Sequence, residues 1–138
     1  MPPRPKRTEY VVTLDRALRP ALEGGRAVLD VPDGWTPEHL VLAGLASCVV
    51  TSLGYHARRA AIDHVAEATA TGVVTVREDG RWGLVEIDVL IEVELDPLPP
   101  GDATATLLAA AENGCFIGAS LTTKPRYRWR VNGADYSY

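Results

Sequence analysis

Residues Thr36 to about Ala61 form the segment that most constrains how this chain folds. Thr36-Pro37-Glu38 reads as a helix start, with Thr36 as N-cap, proline at the first helical position and a carboxylate in the first turn. From Leu40 to Gly54 the segment carries no charge, and basic residues return only at Arg58 and Arg59. A helix apolar nearly all round has to be buried on most faces. At about 1.5 Å per residue it spans roughly 36 Å, more than the diameter expected of a 138-residue domain. Cover must therefore come from elsewhere, and a second copy of the chain is the simplest source. Packing alone predicts a homodimer. The uncharged run is also shorter than the ~20 apolar residues a membrane span needs, so no membrane role is expected.

The remaining bounds are ordinary. The length fits one domain, expected over residues 8–138, behind a flexible tail at residues 1–7. That tail is basic and proline-rich but leads into no apolar core, so it does not read as a secretory signal. Fourteen Lys and Arg stand against eighteen Asp and Glu, a net charge of −4, which argues against nucleic acid as a partner. A cytoplasmic protein is expected, and there thiols are kept reduced.

Strand and helix patterns alternate along the chain. Thr8–Leu14 and Arg26–Val31 are rich in strand formers. After the helix, Ala66–Arg77 and Leu84–Leu95 flank a Glu78-Asp79-Gly80 turn and predict a long hairpin. In its second strand Val85, Ile87, Val89, Ile91, Val93 and Leu95 share one face. Glu86, Asp88, Glu92 and Glu94 share the other, with Leu90 as the exception. Pro97–Pro100 breaks the chain, and Asp102 is the expected N-cap of a second helix reaching about Glu112, with Asn113-Gly114 ending or bending it. A last strand, Leu121–Val131, places Tyr127 and Trp129 opposite Arg126, Arg128 and Arg130. The order β-β-α-β-β-α-β predicts an α+β fold, two helices against antiparallel sheets.

The chain's two cysteines, Cys48 and Cys115, both fall in apolar stretches rich in small residues that read as helical. Such thiols are either inert core residues or a redox pair, and a permanent structural disulfide is disfavoured in a reducing compartment. His39, His56 and His64 show no metal-ligand spacing.

The segment from Thr36-Pro37-Glu38 through Leu45-Ala46-Ser47-Cys48, continued by Thr51 to Ile62, resembles the first helix of the OsmC/Ohr superfamily of osmotically inducible and organic hydroperoxide resistance proteins. Ala109-Ala110-Ala111-Glu112-Asn113-Gly114-Cys115 resembles that family's second cysteine helix, and the hairpin lies between them. The likeness covers roughly residues 8–131. It implies an intertwined homodimer with two sites at the dimer interface, and thiol-dependent reduction of hydroperoxides. Cys48 matches the peroxidatic cysteine and Cys115 the resolving one. Glu38 matches a glutamate that orients an activating arginine, for which Arg16 and Arg19 are preferred over Arg26.

The resemblance implies no bound cofactor, only an external dithiol reductant, a free dithiol or a lipoyl group on a protein. The chemistry fits: thiolate attack on the O–O bond leaves a sulfenic acid, and a second thiol condenses with it to a disulfide. An apolar lining of Leu40, Val41, Leu45, Val49, Phe116 and Ile117 would favour organic peroxides. Two other readings stand beside this one: a binding or scaffold dimer with inert cysteines, and another thiol enzyme using Cys48 as nucleophile.

Overall fold

A computed structural model describes residues 5–136 of the chain; residues 1–4 of the expected tail, and Tyr138 with its neighbour, lie outside the described residues. The fold comprises two units, one up to Trp35 and one from Thr36 onward. In the first, β1 (Val12–Leu14) pairs antiparallel with β2 (Pro20–Leu22), followed by a short 3-10 turn at Glu23–Gly25. The strand expected at Arg26–Val31 does not form: Arg26 makes only an isolated bridge back to Leu22. Gly24, Gly25 and Ala27 all take positive φ, which turns the chain away from extended geometry and overrides the local β-propensity. The first strand is likewise three residues rather than seven.

The second unit begins with α1 (Pro37–Arg59). Thr36 caps it as expected: its Oγ1 accepts the His39 N–H at 3.3 Å, and His39 Nδ1 accepts the Thr36 N–H at 3.0 Å. His39 thus occupies the place a Glu or Gln usually takes in a capping box. Within one chain the apolar residues α1 buries are the stripe Leu45, Val49, Leu53 and Ala57, spaced four residues apart, with Ser52 and Gly54 buried beside it. By length and composition α1 would also pass as a membrane span. That stripe, packed into the hydrophobic core, identifies it as a core helix. Leu40, Val41 and Tyr55 stay exposed.

The hairpin is longer than predicted, β3 (Asp63–Val76) against β4 (Trp82–Asp96). The alternation in β4 holds from Ile87 onward, with Ile87, Val89, Ile91, Val93 and Leu95 all buried; the register shifts opposite Val73 and Val74, so Leu84 packs against the core in place of the expected Val85. Gly72 admits α1 to this surface, since a Cβ there would stand 2.9 Å from Leu84 Cδ2 and 3.3 Å from Leu42 Cδ1. After the proline break α2 (Gly101–Asn113) starts without a side-chain cap. Its N-cap is Pro100, not Asp102, which lies in the first turn and accepts the adjacent Ala103 N–H. Gly114 ends α2, its N–H bonded to Ala110 and Glu112 carbonyls. Cys115 follows in extended conformation, and a five-residue helix α3 (Phe116–Ser120) restarts behind it. Cys115 therefore sits between helices, not inside one.

The closing strand is shorter than expected, β5 (Arg126–Val131), and an unpredicted β6 (Ala134–Tyr136) folds back on it. The expectation of purely antiparallel sheets fails here. β5 runs parallel to β4, in a sheet ordered β3-β4-β5-β6. Parallel neighbours need a crossover of a dozen or more residues, which α2 and α3 supply. The parallel register sets Arg126 beside Asp88 and Arg130 beside Glu92. Arg126 holds both Asp88 carboxylate oxygens at 2.8 Å, and Arg130 reaches Glu92 at 3.2 Å and Asp135 at 3.1 Å. Exposed pairs of this kind add little stability, so they serve mainly to select register. On the other face Trp129 and Val131 join the core with Leu107, Leu108 and Ala111 of α2.

Candidate functional site

The two thiols meet at the end of α2, where the chain breaks. Cys48 projects from the middle of α1 and is half-buried; Cys115 is fully buried; both are free. The two thiols are near enough for each to bear on the other electrostatically. Backbone amides of α3 address each sulfur in turn. The Ile117 N–H donates to Cys48 Sγ at 3.5 Å, and the Gly118 amide favours the Cys115 thiolate. Had α2 continued unbroken, these amides would bond within the helix. The Gly114 stop is what frees them.

Cys115 has a further neighbour that the sequence did not reveal. The Tyr127 hydroxyl stands within hydrogen-bonding reach of its sulfur, the two flanking Gly118. Burial pushes the Cys115 thiol above its ordinary range, and the adjacent Cys48 adds to that; the Tyr127 and Gly118 hydrogen bonds pull it back down. The Tyr127 phenol is itself driven well up, first by burial and then by Cys115, Glu112 and Cys48. Glu112, on the last turn of α2, accepts the Trp129 indole N–H at 3.3 Å. Burial raises its carboxyl above the usual range, and that hydrogen bond opposes the rise.

A cleft of about 420 Å³ opens over Cys48. It is lined by Thr51, Ser52, Tyr55 and His56 of α1, with Gly114 and Phe116 across from them, and it is predominantly apolar. Of the six lining residues expected from sequence, only Phe116 lines it. Leu45 and Val49 point into the core, because Cys48 faces the stripe one and two turns toward the C-terminus, at Ser52 and His56. The cleft wall is tight: a Cβ on Gly114 would stand 2.6 Å from Ser52 Oγ and 3.4 Å from His56 Nε2. Gly114→Ala should therefore destabilise the fold by about 1–3 kcal/mol, as overpacking does. Ser52→Ala in the same chain should recover part of that loss. Urea unfolding of the three variants checks it.

The other predicted residues are not drawn to the thiols within this unit. Glu38 lies exposed in the first turn of α1, ten positions before Cys48 on the same helix. Arg16 and Arg19 belong to the N-terminal unit, after β1. There Arg19 is engaged by Asp15, whose carboxylate accepts the Arg19 backbone N–H and side-chain Nε–H, each at 2.9 Å. The Arg19 backbone N–H is the main reason the Asp15 carboxyl lies below its ordinary range. Arg16 makes no ion pair among the described residues, and Arg26 donates to the Glu23 carbonyl. No cluster of metal-ligating side chains occurs among the described residues.

Comparison with known proteins bears on this arrangement. The family model for OsmC-like protein matches residues 30–130. No curated protein matches the chain in sequence. An OsmC-like protein of unknown function from Vibrio cholerae superposes with a TM-score of 0.72 at 18% identity, covering 89% of this chain and 99% of that one. An organic hydroperoxide resistance protein from Elizabethkingia anophelis, with thiocyanate bound, gives 0.64 at 20% identity over 91% and 98%. The organic hydroperoxide resistance protein OhrB of Bacillus subtilis gives 0.55 at 21% over 90% and 96%. Identities this low speak to the fold alone. The fold is α+β as expected, and with the family model spanning both cysteines, the chain belongs to the OsmC-like protein family.

Proposed function

We propose that the chain is a dithiol-dependent hydroperoxide reductase, with Cys48 peroxidatic and Cys115 resolving. One observation carries the reading: a thiol lining an apolar cleft stands beside a second, buried thiol, and the first amides of α3 lie against the two sulfurs. An inert core pair needs neither a cleft nor amide donors. Cys48 thiolate attacks the terminal peroxide oxygen, the O–O bond breaks, and the alkoxide leaves as alcohol with one proton. Cys48 is then a sulfenic acid. Cys115 attacks its sulfur, an S–S bond forms, and the hydroxyl departs as water with the Cys115 proton. An external dithiol, free or as a lipoyl group on a protein, returns both thiols by exchange. The apolar cleft supports an organic peroxide as substrate over hydrogen peroxide. The test is consumption of cumene hydroperoxide with dihydrolipoamide as reductant. Turnover at least about tenfold faster than with hydrogen peroxide is expected, since burying a few methylene-sized groups supplies that much. Equal rates for both peroxides, or none with either, would contradict it.

The working unit in this proposal is a homodimer in the cytoplasm, where thiols return to the reduced state. The uncovered apolar residues of α1, and Val73, Val76 and Trp82 at the far end of the hairpin, are surfaces a second copy would cover. The activating cation is Arg16 or Arg19, steadied by Glu38. Arg16 is preferred of the two, because Asp15 already engages Arg19. An opposite charge within about 4–6 Å shifts a thiol by 1–3 pH units, so Arg16→Met should slow the first oxidation step about tenfold or more. Stopped-flow peroxide consumption measures it, with Arg19→Met as the comparison.

A further inference from the structure

We infer that Tyr127 is a specific donor to the resolving thiol, holding Cys115 ready to attack whatever electrophile sits on Cys48. The inference rests on the pairing of the two cysteines proposed above but not on peroxide as the oxidant. The geometry carries it. Tyr127 stands on the inward face of β5, opposite Val89 in the parallel register, and its hydroxyl reaches the turn between α2 and α3. There Gly118 leaves it room. A Cβ on Gly118 would collide with the Tyr127 hydroxyl and lie 3.4 Å from Cys115 Sγ, so hydroxyl and sulfur flank the same small residue. A phenol is a costly filler for a core position, and one whose hydroxyl is buried needs a partner. Here the group beside it, across Gly118, is the Cys115 sulfur.

Cys115 is fully buried, and burial disfavours its thiolate. The groups facing it from the elements packed around it are Cys48 on α1, the Gly118 N–H on α3 and Tyr127 on β5. Glu112 on α2 bears on Tyr127, not on the sulfur. Of these only Tyr127 and the Gly118 amide favour the thiolate, and only Tyr127 can be removed without touching the backbone. Its phenol, driven upward, stays protonated through the working range and remains a donor. The attacking species is the thiolate, so a donor to it sets how much of Cys115 is ready at a given pH.

A reaction free of peroxide isolates this step. Dithiobis(nitrobenzoate) reacts first with the accessible Cys48 thiolate, forming a mixed disulfide and releasing one aryl thiolate. Cys115 thiolate then attacks the Cys48 sulfur, closing the Cys48–Cys115 disulfide and expelling the second aryl thiolate, while its own proton passes to buffer. Two phases of absorbance result, and the second reports Cys115. In Tyr127→Phe the first phase should be unchanged and the second about tenfold slower near neutral pH, the loss expected for one hydrogen bond to a charged group. The midpoint of its pH profile should move up by about one unit. A merely structural role would not move that midpoint. A more acidic difluorotyrosine in place of Tyr127 keeps the fold and should move it down instead. A second phase with the same rate and midpoint in both variants would overturn the inference. Loss of peroxide turnover in the wild-type chain with these two phases intact would instead count against the reductase reading alone.

Discussion

Cys48→Ser is expected to abolish peroxide turnover, and Cys115→Ser is expected to leave a single turnover. The asymmetry follows from position. Cys48 lines the cleft and is the thiol an incoming peroxide meets first, whereas Cys115 is fully buried and reaches only Cys48 and its own hydrogen-bond partners. Without Cys48 no sulfur faces the cleft, and rate should fall to background. Without Cys115 the first step still occurs, so about one equivalent of peroxide is consumed per chain. The sulfenic acid then has no internal thiol to condense with and should climb to sulfinic and sulfonic acids under excess peroxide. Intact-mass measurement of the Cys115→Ser chain would show about 32 or 48 Da added at Cys48. Full turnover by both variants would be incompatible with the division of labour.

The second large effect concerns assembly. Gly44 lies exposed on α1 among Leu40, Val41 and Ser47, and a Cβ added there meets nothing within 4 Å in its own chain. For an isolated chain Gly44→Glu should be neutral or better, since glycine in a helix interior costs up to about 1 kcal/mol relative to good helix formers. If a second copy packs on this face, the same carboxylate is buried without a partner, at about 3–5 kcal/mol. That weakens the dimer by about two to nearly four orders of magnitude. Light scattering against concentration should find wild type dimeric and Gly44→Glu largely monomeric in the micromolar range, with peroxide turnover falling alongside. An unchanged dimer would place the interface elsewhere, and a monomeric wild type would remove it.

How legible this was in the sequence differs between elements, for physical reasons. The start of α1 was readable because capping is local: Thr36 and Pro37 need only their next few neighbours to act. The inward face of β4 was readable because period-two alternation is written along one strand. Both cysteines could be singled out, but their contact depends on where α2 stops, and Asn113-Gly114 read equally as a bend or an end. The parallel pairing of β4 and β5 was not readable, since it is fixed by the length of the crossover and by cross-strand partners rather than by either strand alone. Hence the pairing of the acidic face of β4 with the arginines of β5 is written in neither strand's own pattern. Tyr127 was missed for the same reason: its strand placed it inward, but only the parallel register carries its hydroxyl to Cys115. One local signal was present and passed over. Asn132-Gly133, both at positive φ, is a two-residue hairpin turn that announces β6. Asn132 also bonds across to the Leu95 backbone, taking its N–H at 2.7 Å and donating to its carbonyl at 3.1 Å.

In the proposed mechanism Arg16 and Glu38 would set only how fast the first step runs, whereas the pairing of the two sulfurs decides whether the cycle exists. The most direct test is therefore the intact mass of the reduced wild-type chain after one equivalent of an organic hydroperoxide, followed by mapping of its peptides. The account predicts a loss of about 2 Da, with Cys48 and Cys115 joined by a disulfide that dihydrolipoamide reverses. An unchanged mass, with both thiols still open to alkylation after unfolding, would contradict it.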